Sequence, residues 1–213
     1  MFRDREQAGK LLAKAVAKLG LTDIVVLAIP RGGVPVAREV ASALGAPLDL
    51  VITRKIGAPG NPEFAIGAVT QDGEAMLNDE TVREMRLSES YVERETRHQF
   101  NEIRERMKKY RGDRPFPKIE GKTVVIVDDG IATGSTTRAA IASVRKMKPS
   151  RIILATPVAP KETLRELSTL VDQVVCLDTP QVFYAIGEFY ENFEQVEDDE
   201  VRRILESVAA ALT

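Results

Sequence analysis

The sequence predicts an α/β fold, a parallel-sheet core with helices on both faces, extended by a β-hairpin with a flexible loop and by a helical insertion. Two observations carry this prediction. Short apolar, β-branched runs recur at 24–29, 48–53, 123–128, 151–156 and 173–177, with helical patterns between most of them. The runs are continuously apolar rather than alternating, as strands buried on both faces are, and strand–helix alternation is how parallel strands are joined.

Each element has a local reason. The first twenty residues read as an amphipathic helix with Leu11, Leu12, Ala15, Val16 and Leu19 on one face, and they are too charged for a secretory leader. After the strand at 24–29, Pro35 to Leu44 reads as a helix with proline in its first turn and Gly45 at its end. The strand at 48–53 leads into a loop, 54–64, rich in glycine and proline. Gln71-Asp72-Gly73 then joins 65–70 to 74–77 as a hairpin. Residues 79–111 are helical, with nine basic and eight acidic side chains and a thin apolar stripe, so they form an insertion with a solvated face. His98 belongs to that surface. The stretch Arg114-Pro115-Phe116-Pro117 is a linker into the strand at 123–128. Helices at 136–147 and 161–170 flank the strand at 151–156. Residues 1–78 and 112–180 thus form one core, with 79–111 inserted and 181–213 appended as an aromatic segment and a last helix. That helix buries Val201, Ile204, Leu205 and Val208, with Glu197 to Glu200 at its start.

Composition narrows the chemistry. A chain of 213 residues has the length of one large domain or a domain plus an appendage, and 30 basic against 32 acidic residues give no global footprint for nucleic acid, leaving only a local patch open. No run approaches the roughly 18 apolar residues of a membrane helix, so a cytoplasmic protein is expected. One cysteine, Cys176, and one histidine, His98, exclude a disulfide framework, a cysteine-rich zinc site and a multi-histidine metal cage. A Ser-His-Asp or Cys-His arrangement would have to use His98; an enzyme of this composition is otherwise expected to run on carboxylates, backbone amides, Lys or Arg, or a borrowed metal.

The stretch VVIVDDGIATGST, 124–136, is where such chemistry is written. A buried strand ends in two acids, Asp128 and Asp129, and a loop of Ala132, Thr133, Gly134, Ser135 and Thr136 opens a helix. Ligands of open α/β sheets bind beyond the carboxyl ends of strands. A small-residue loop at a helix N-terminus presents backbone N–H groups and hydroxyls to a phosphate. Paired carboxylates beside it can accept hydrogen bonds from vicinal sugar hydroxyls. The local picture is a ribose 5-phosphate.

The same stretch resembles the 5-phosphoribosyl-1-pyrophosphate (PRPP) signature of type I phosphoribosyltransferases, although Gly130 stands where an aliphatic residue is usual. AIPRGGVPVA, 28–37, resembles their pyrophosphate loop, with Arg31 as a forked donor and Gly32 and Gly33 allowing close backbone approach. RKIGAPGNPEFAIG, 54–67, resembles their mobile catalytic loop, which brings Arg54 and Lys55. The resemblance spans roughly residues 8–180. It implies Mg²⁺-dependent transfer of phosphoribose from PRPP to a nucleobase or related nitrogen acceptor, with pyrophosphate released. Asp128 and Asp129 would hold the ribose, and Arg54 and Lys55 would meet the leaving group. No dedicated metal site is implied, because Mg²⁺ arrives on PRPP and sits near the two acids. The resemblance also implies a homodimer. The acceptor would lie under a hood, with 79–111 and 179–193 as the two candidates; the second holds five of the chain's 11 aromatics and could stack a base or pack in a core. The alternative is a PRPP- or nucleotide-sensing regulator on the same fold, without turnover.

Overall fold

The protein is described from a computed structural model, which covers residues 1–212 and, at Glu63, the backbone alone. Thr213, the end of the appended segment, lies outside the described residues. Five parallel strands form the main sheet: β1 (Ile24–Ala28), β2 (Leu48–Leu50), β6 (Thr123–Val127), β7 (Arg151–Val158) and β8 (Gln173–Asp178), in the order β2-β1-β6-β7-β8. Strand pleating sends alternate residues to opposite faces. Val26, Ala28, Val125, Val127, Ile153 and Ala155 pack with α1 (Arg5–Ala17), α2 (Gly33–Leu44) and α7 (Asp198–Ala211). Their neighbours Val25, Leu27, Val124, Ile126, Ile152 and Leu154 pack with α5 (Ser135–Lys146) and α6 (Lys161–Ser168). Both faces are therefore covered, as the continuous apolar runs require.

From β1 the chain steps outward to β2, and β6 then takes up the other side of β1. Loops leaving neighbouring strands in opposite directions open a crevice between them. It lies between the loop after β1 and the loop after β6.

Several expectations are corrected. The buried face of α1 is Ala8, Gly9, Leu12, Ala13 and Val16, because the helix packs on α2 through its small residues; Leu11 remains exposed. Segment 54–64 is not an irregular loop. It contains β3 (Arg54–Ala58) and the start of β4 (Asn61–Val69), which pair antiparallel, with β5 (Ala75–Leu77) completing a three-stranded sheet. Gly57 packs closely against Pro62, where a Cβ would come within 2.6 Å of the Pro62 Cα, so this glycine meets a packing need. The insertion is helical as expected, in two pieces, α3 (Asp79–Glu84) and α4 (Glu89–Arg111).

Helix α4 braces the small sheet against α7. Its Tyr91 hydroxyl donates to the Gly57 carbonyl at 2.7 Å, and the buried Tyr110 hydroxyl donates to Asp198 at 2.5 Å. Burial and the adjacent Asp198 charge push the Tyr110 phenol up to about 12. Tyr110→Phe keeps the ring and removes the bond to a charged acceptor. It should cost about 1–2 kcal/mol and lower the melting temperature by several degrees in a thermal scan.

Candidate active site

The two loops of the crevice lie against each other at close range. Ile29 continues β1 by donating to the Val127 carbonyl at 2.9 Å, and the next peptide bond, Pro30–Arg31, is cis. Gly32 then passes directly over Asp129. A Cβ at Gly32 would fall 2.7 Å from Asp129 Cγ and clash with Oδ2, and one at Gly33 would fall 2.8 Å from the Val127 carbonyl oxygen. Both glycines are needed for the loop to lie on the acid pair.

The acids differ in surroundings. Asp128 accepts from the Asp129 amide at 2.9 Å and borders a cleft of about 490 Å³. Burial, followed by the neighbouring Asp129 charge, holds its carboxyl well above the usual range. Asp129 is fastened on two sides. Its Oδ2 accepts from Arg5 Nε at 2.8 Å, and its carbonyl accepts from the Tyr190 hydroxyl at 2.6 Å. From the sequence, Arg5 has no role here and Tyr190 belongs only with the aromatics of a candidate hood, not on Asp129. They come from the two ends of the chain, and no local motif marks them.

Gly134 caps α5 in the left-handed region (φ 79°) and offers no side chain to the first turn. The first N–H groups of a helix have no intrahelical partner, and at the start of α5 no side chain caps them. Thr133, Ser135 and Thr136 border a second cleft, of about 740 Å³, whose far wall is the small sheet. Lys55 lines that wall. Arg54 does not: its Nε donates to Gln99 on α4 at 2.9 Å. Thr136 borders both clefts. The structure therefore brings Arg31, Gly32, Asp128, Asp129 and Thr136 around one cleft, joins Lys55 to it through the second, and leaves Arg54 turned to the insertion.

No residue of 79–111 lines either cleft among the described residues, whereas Phe193, Gln195 and Val196 border the one holding the acids. Most aromatics of the C-terminal segment are engaged with one another. Phe183 stacks on Phe189 and Tyr190 on Phe193, with centroids 5.1 Å and 5.0 Å apart, and the Arg5 guanidinium lies 3.9 Å from the Phe193 centroid. Tyr184 is 83% exposed. Ile186 seats against Gly130, where an added Cβ would meet its Cγ1 at 3.0 Å. Arg31 leans towards Asp198 at 3.6 Å.

Residues 5–194 match the family model described as "Phosphoribosyl transferase domain". The chain belongs to the phosphoribosyl transferase family. Its relatives include "Putative phosphoribosyl transferase Rv0571c" of Mycobacterium tuberculosis, 43% identical over 206 residues that make up 97% of this chain and 46% of that protein. The chain thus spans about half the length of the curated relatives it matches. The crystal structure of TT1426 from Thermus thermophilus superposes with a TM-score of 0.85 at 47% identity, covering 97% of this chain and 98% of that one. AQ2163 from Aquifex aeolicus, 14% identical, shares the fold at a TM-score of 0.53 over 86% of this chain and 76% of that one. The parallel sheet with helices on both faces is this family's fold. No helix among the described residues of this phosphoribosyl transferase domain is long and apolar enough to cross a membrane.

Proposed function

We propose that the chain transfers the 5-phosphoribosyl group of PRPP to a nitrogen acceptor, a nucleobase or base-like amine, and releases pyrophosphate. The observation that carries this reading is the meeting of an acid pair, a glycine-floored arginine loop and an uncapped helix start at the β1–β6 crevice. The 5-phosphate would take the N–H groups and hydroxyls of 132–136. The ribose hydroxyls would face Asp128 and Asp129, and the pyrophosphate would lie along Arg31, Gly32 and Gly33, with Lys55 approaching from the small sheet.

In the reaction the acceptor nitrogen bonds to the anomeric carbon as the bond from that carbon to the pyrophosphate oxygen breaks; the acceptor's proton leaves to solvent or a nearby carboxylate. Charge separates in the transition state. The acid pair faces the cationic sugar, and Arg31, the loop amides and Lys55 face the departing anion, which is electrostatic preorganisation. The donor set fits Mg²⁺ as an ion carried by the substrate. Asp128 borders the cleft in which that ion would lie, while Asp129 is already paired with Arg5. Pyrophosphate oxygens and water suit this hard cation, which would offset leaving-group charge there. Of the two hood candidates, 179–193 is the stronger, because its Phe193 borders the acids' cleft and no described residue of 79–111 does.

The test is a pyrophosphate-release screen with PRPP, Mg²⁺ and adenine, guanine, hypoxanthine, xanthine, uracil, orotate or nicotinate. One acceptor should release pyrophosphate, and Asp128→Asn with Asp129→Asn should abolish that release in a folded protein. PRPP binding without release for any acceptor would favour the sensing regulator. Failure to bind PRPP would remove both readings.

A further inference from the structure

Arg5 stands at the start of α1, 124 residues from the carboxylate it holds. Its guanidinium serves three groups at once. Nε donates to Asp129 Oδ2 at 2.8 Å, Nη1 donates to the Glu194 carbonyl at 2.6 Å, and the plane lies 3.9 Å from the centre of the Phe193 ring. The Arg5 side chain is 12% exposed and that of Asp129 9%. A forked, planar cation is the side chain that can bind in several directions at once and still stack on a ring. The oxygen it holds is the one lying beneath Gly32. Asp128 borders the same cleft, has no ion pair among the described residues, and accepts only the Asp129 amide through Oδ1.

We propose that Arg5 is a positioning residue that separates the two acids by role: it holds Asp129 Oδ2 inward as the floor of the pyrophosphate loop, so that of the pair facing the sugar only Asp128 is left without an ion pair. This rests on the PRPP reading above. Arg5 also ties the site to both ends of the chain. Its own helix brings the N-terminus, and through Glu194 and Phe193 it holds the C-terminal segment that borders the cleft. An acid pair with two free carboxylates would present a double charge to an already anionic substrate. With Asp129 neutralised by Arg5, one charge remains.

A double-mutant cycle on PRPP binding, measured by titration calorimetry with Mg²⁺ on the whole chain, tests this. Arg5→Gln should weaken PRPP binding about tenfold or more, within the range of coupled neighbours. Asp129→Asn should weaken it as well, and the double variant Arg5→Gln/Asp129→Asn should bind no worse than the weaker single. Arg5→Lys, which keeps the charge but loses the fork, should recover part of the loss. Arg5→Gln leaves a buried carboxylate without its cation, so Arg5→Lys and the double variant carry the test if that single variant does not fold. A role confined to stability would lower the melting temperature and leave the PRPP dissociation constant unchanged, which would overturn the proposal. Losses that multiply in the double variant would also overturn it, since Arg5 would then act independently of Asp129. Absence of PRPP binding by the unmodified chain would instead remove the underlying reading, and this inference with it.

Discussion

Gly32→Ala is expected to lose at least about 100-fold in pyrophosphate release, the scale on which misplacing a reacting group by an ångström acts, while the chain stays folded. The added methyl would sit 2.7 Å from Asp129 Cγ and overlap Oδ2. One partner must move. Asp129 cannot swing away cheaply, because Arg5 holds its carboxylate and Tyr190 holds its carbonyl. The loop must then lift, carrying Arg31 and the backbone amides away from the position proposed for pyrophosphate. The sheet and its two cores lie elsewhere, so far-ultraviolet circular dichroism should be unchanged. Near-normal activity in Gly32→Ala would show that the loop does not work in contact with the acids.

Asp128→Asn should gain stability as it loses activity. Burial and the Asp129 charge raise the folded carboxyl above its ordinary value of 3.8. The folded state therefore holds this proton more tightly than the unfolded chain. The resulting stabilisation is present in full below the ordinary value and is lost as pH rises towards the folded value. Above that window the ionised form bears its full burial cost, and asparagine does not. The gain at neutral pH should be about 1 kcal/mol, or roughly 2–4 °C at this chain length. Melting temperatures measured from pH 3 to 8 should show little difference between variant and parent in acid and a growing one above pH 4. A gap that does not change with pH would mean Asp128 is not a strained carboxylate. Turnover should fall about 100-fold or more, as when an electrostatic group aimed at the transition state is removed.

Much of this site was legible in the sequence because its main parts are local. Strand, acids, glycine loop and helix follow one another within 123–147, and the Arg31 loop follows directly on β1. The continuous apolar runs also marked the sheet as two-faced. What was not legible came from packing between distant segments. The buried face of α1 depended on which helix it would meet, and Leu11 gave no sign of facing solvent. Gly57, Pro59, Gly60 and Pro62 read as a loop, yet the pairing of β3 with β4 absorbs the first and last of them. Arg54 and Lys55 are neighbours in sequence, but strand pleating sends them to opposite faces, one to Gln99 and one to the cleft. Arg5 and Tyr190 had no motif around them; a lone charge in an amphipathic helix and a tyrosine in an aromatic run look alike whether or not they touch an active site.

The contact between Gly130 and Ile186 makes those two positions a steric exchange. The motif lacks its usual aliphatic side chain after the acids, and the space is filled by a branched side chain delivered from the C-terminal segment. Volume can stand on one side of the contact or on the other. Among relatives, a bulky residue at 130 should therefore coincide with a small one at 186, and the two should change together. In this chain Gly130→Val should be tolerated only alongside Ile186→Ala, so the identity of one motif residue sets how closely the end of the chain can approach the acids.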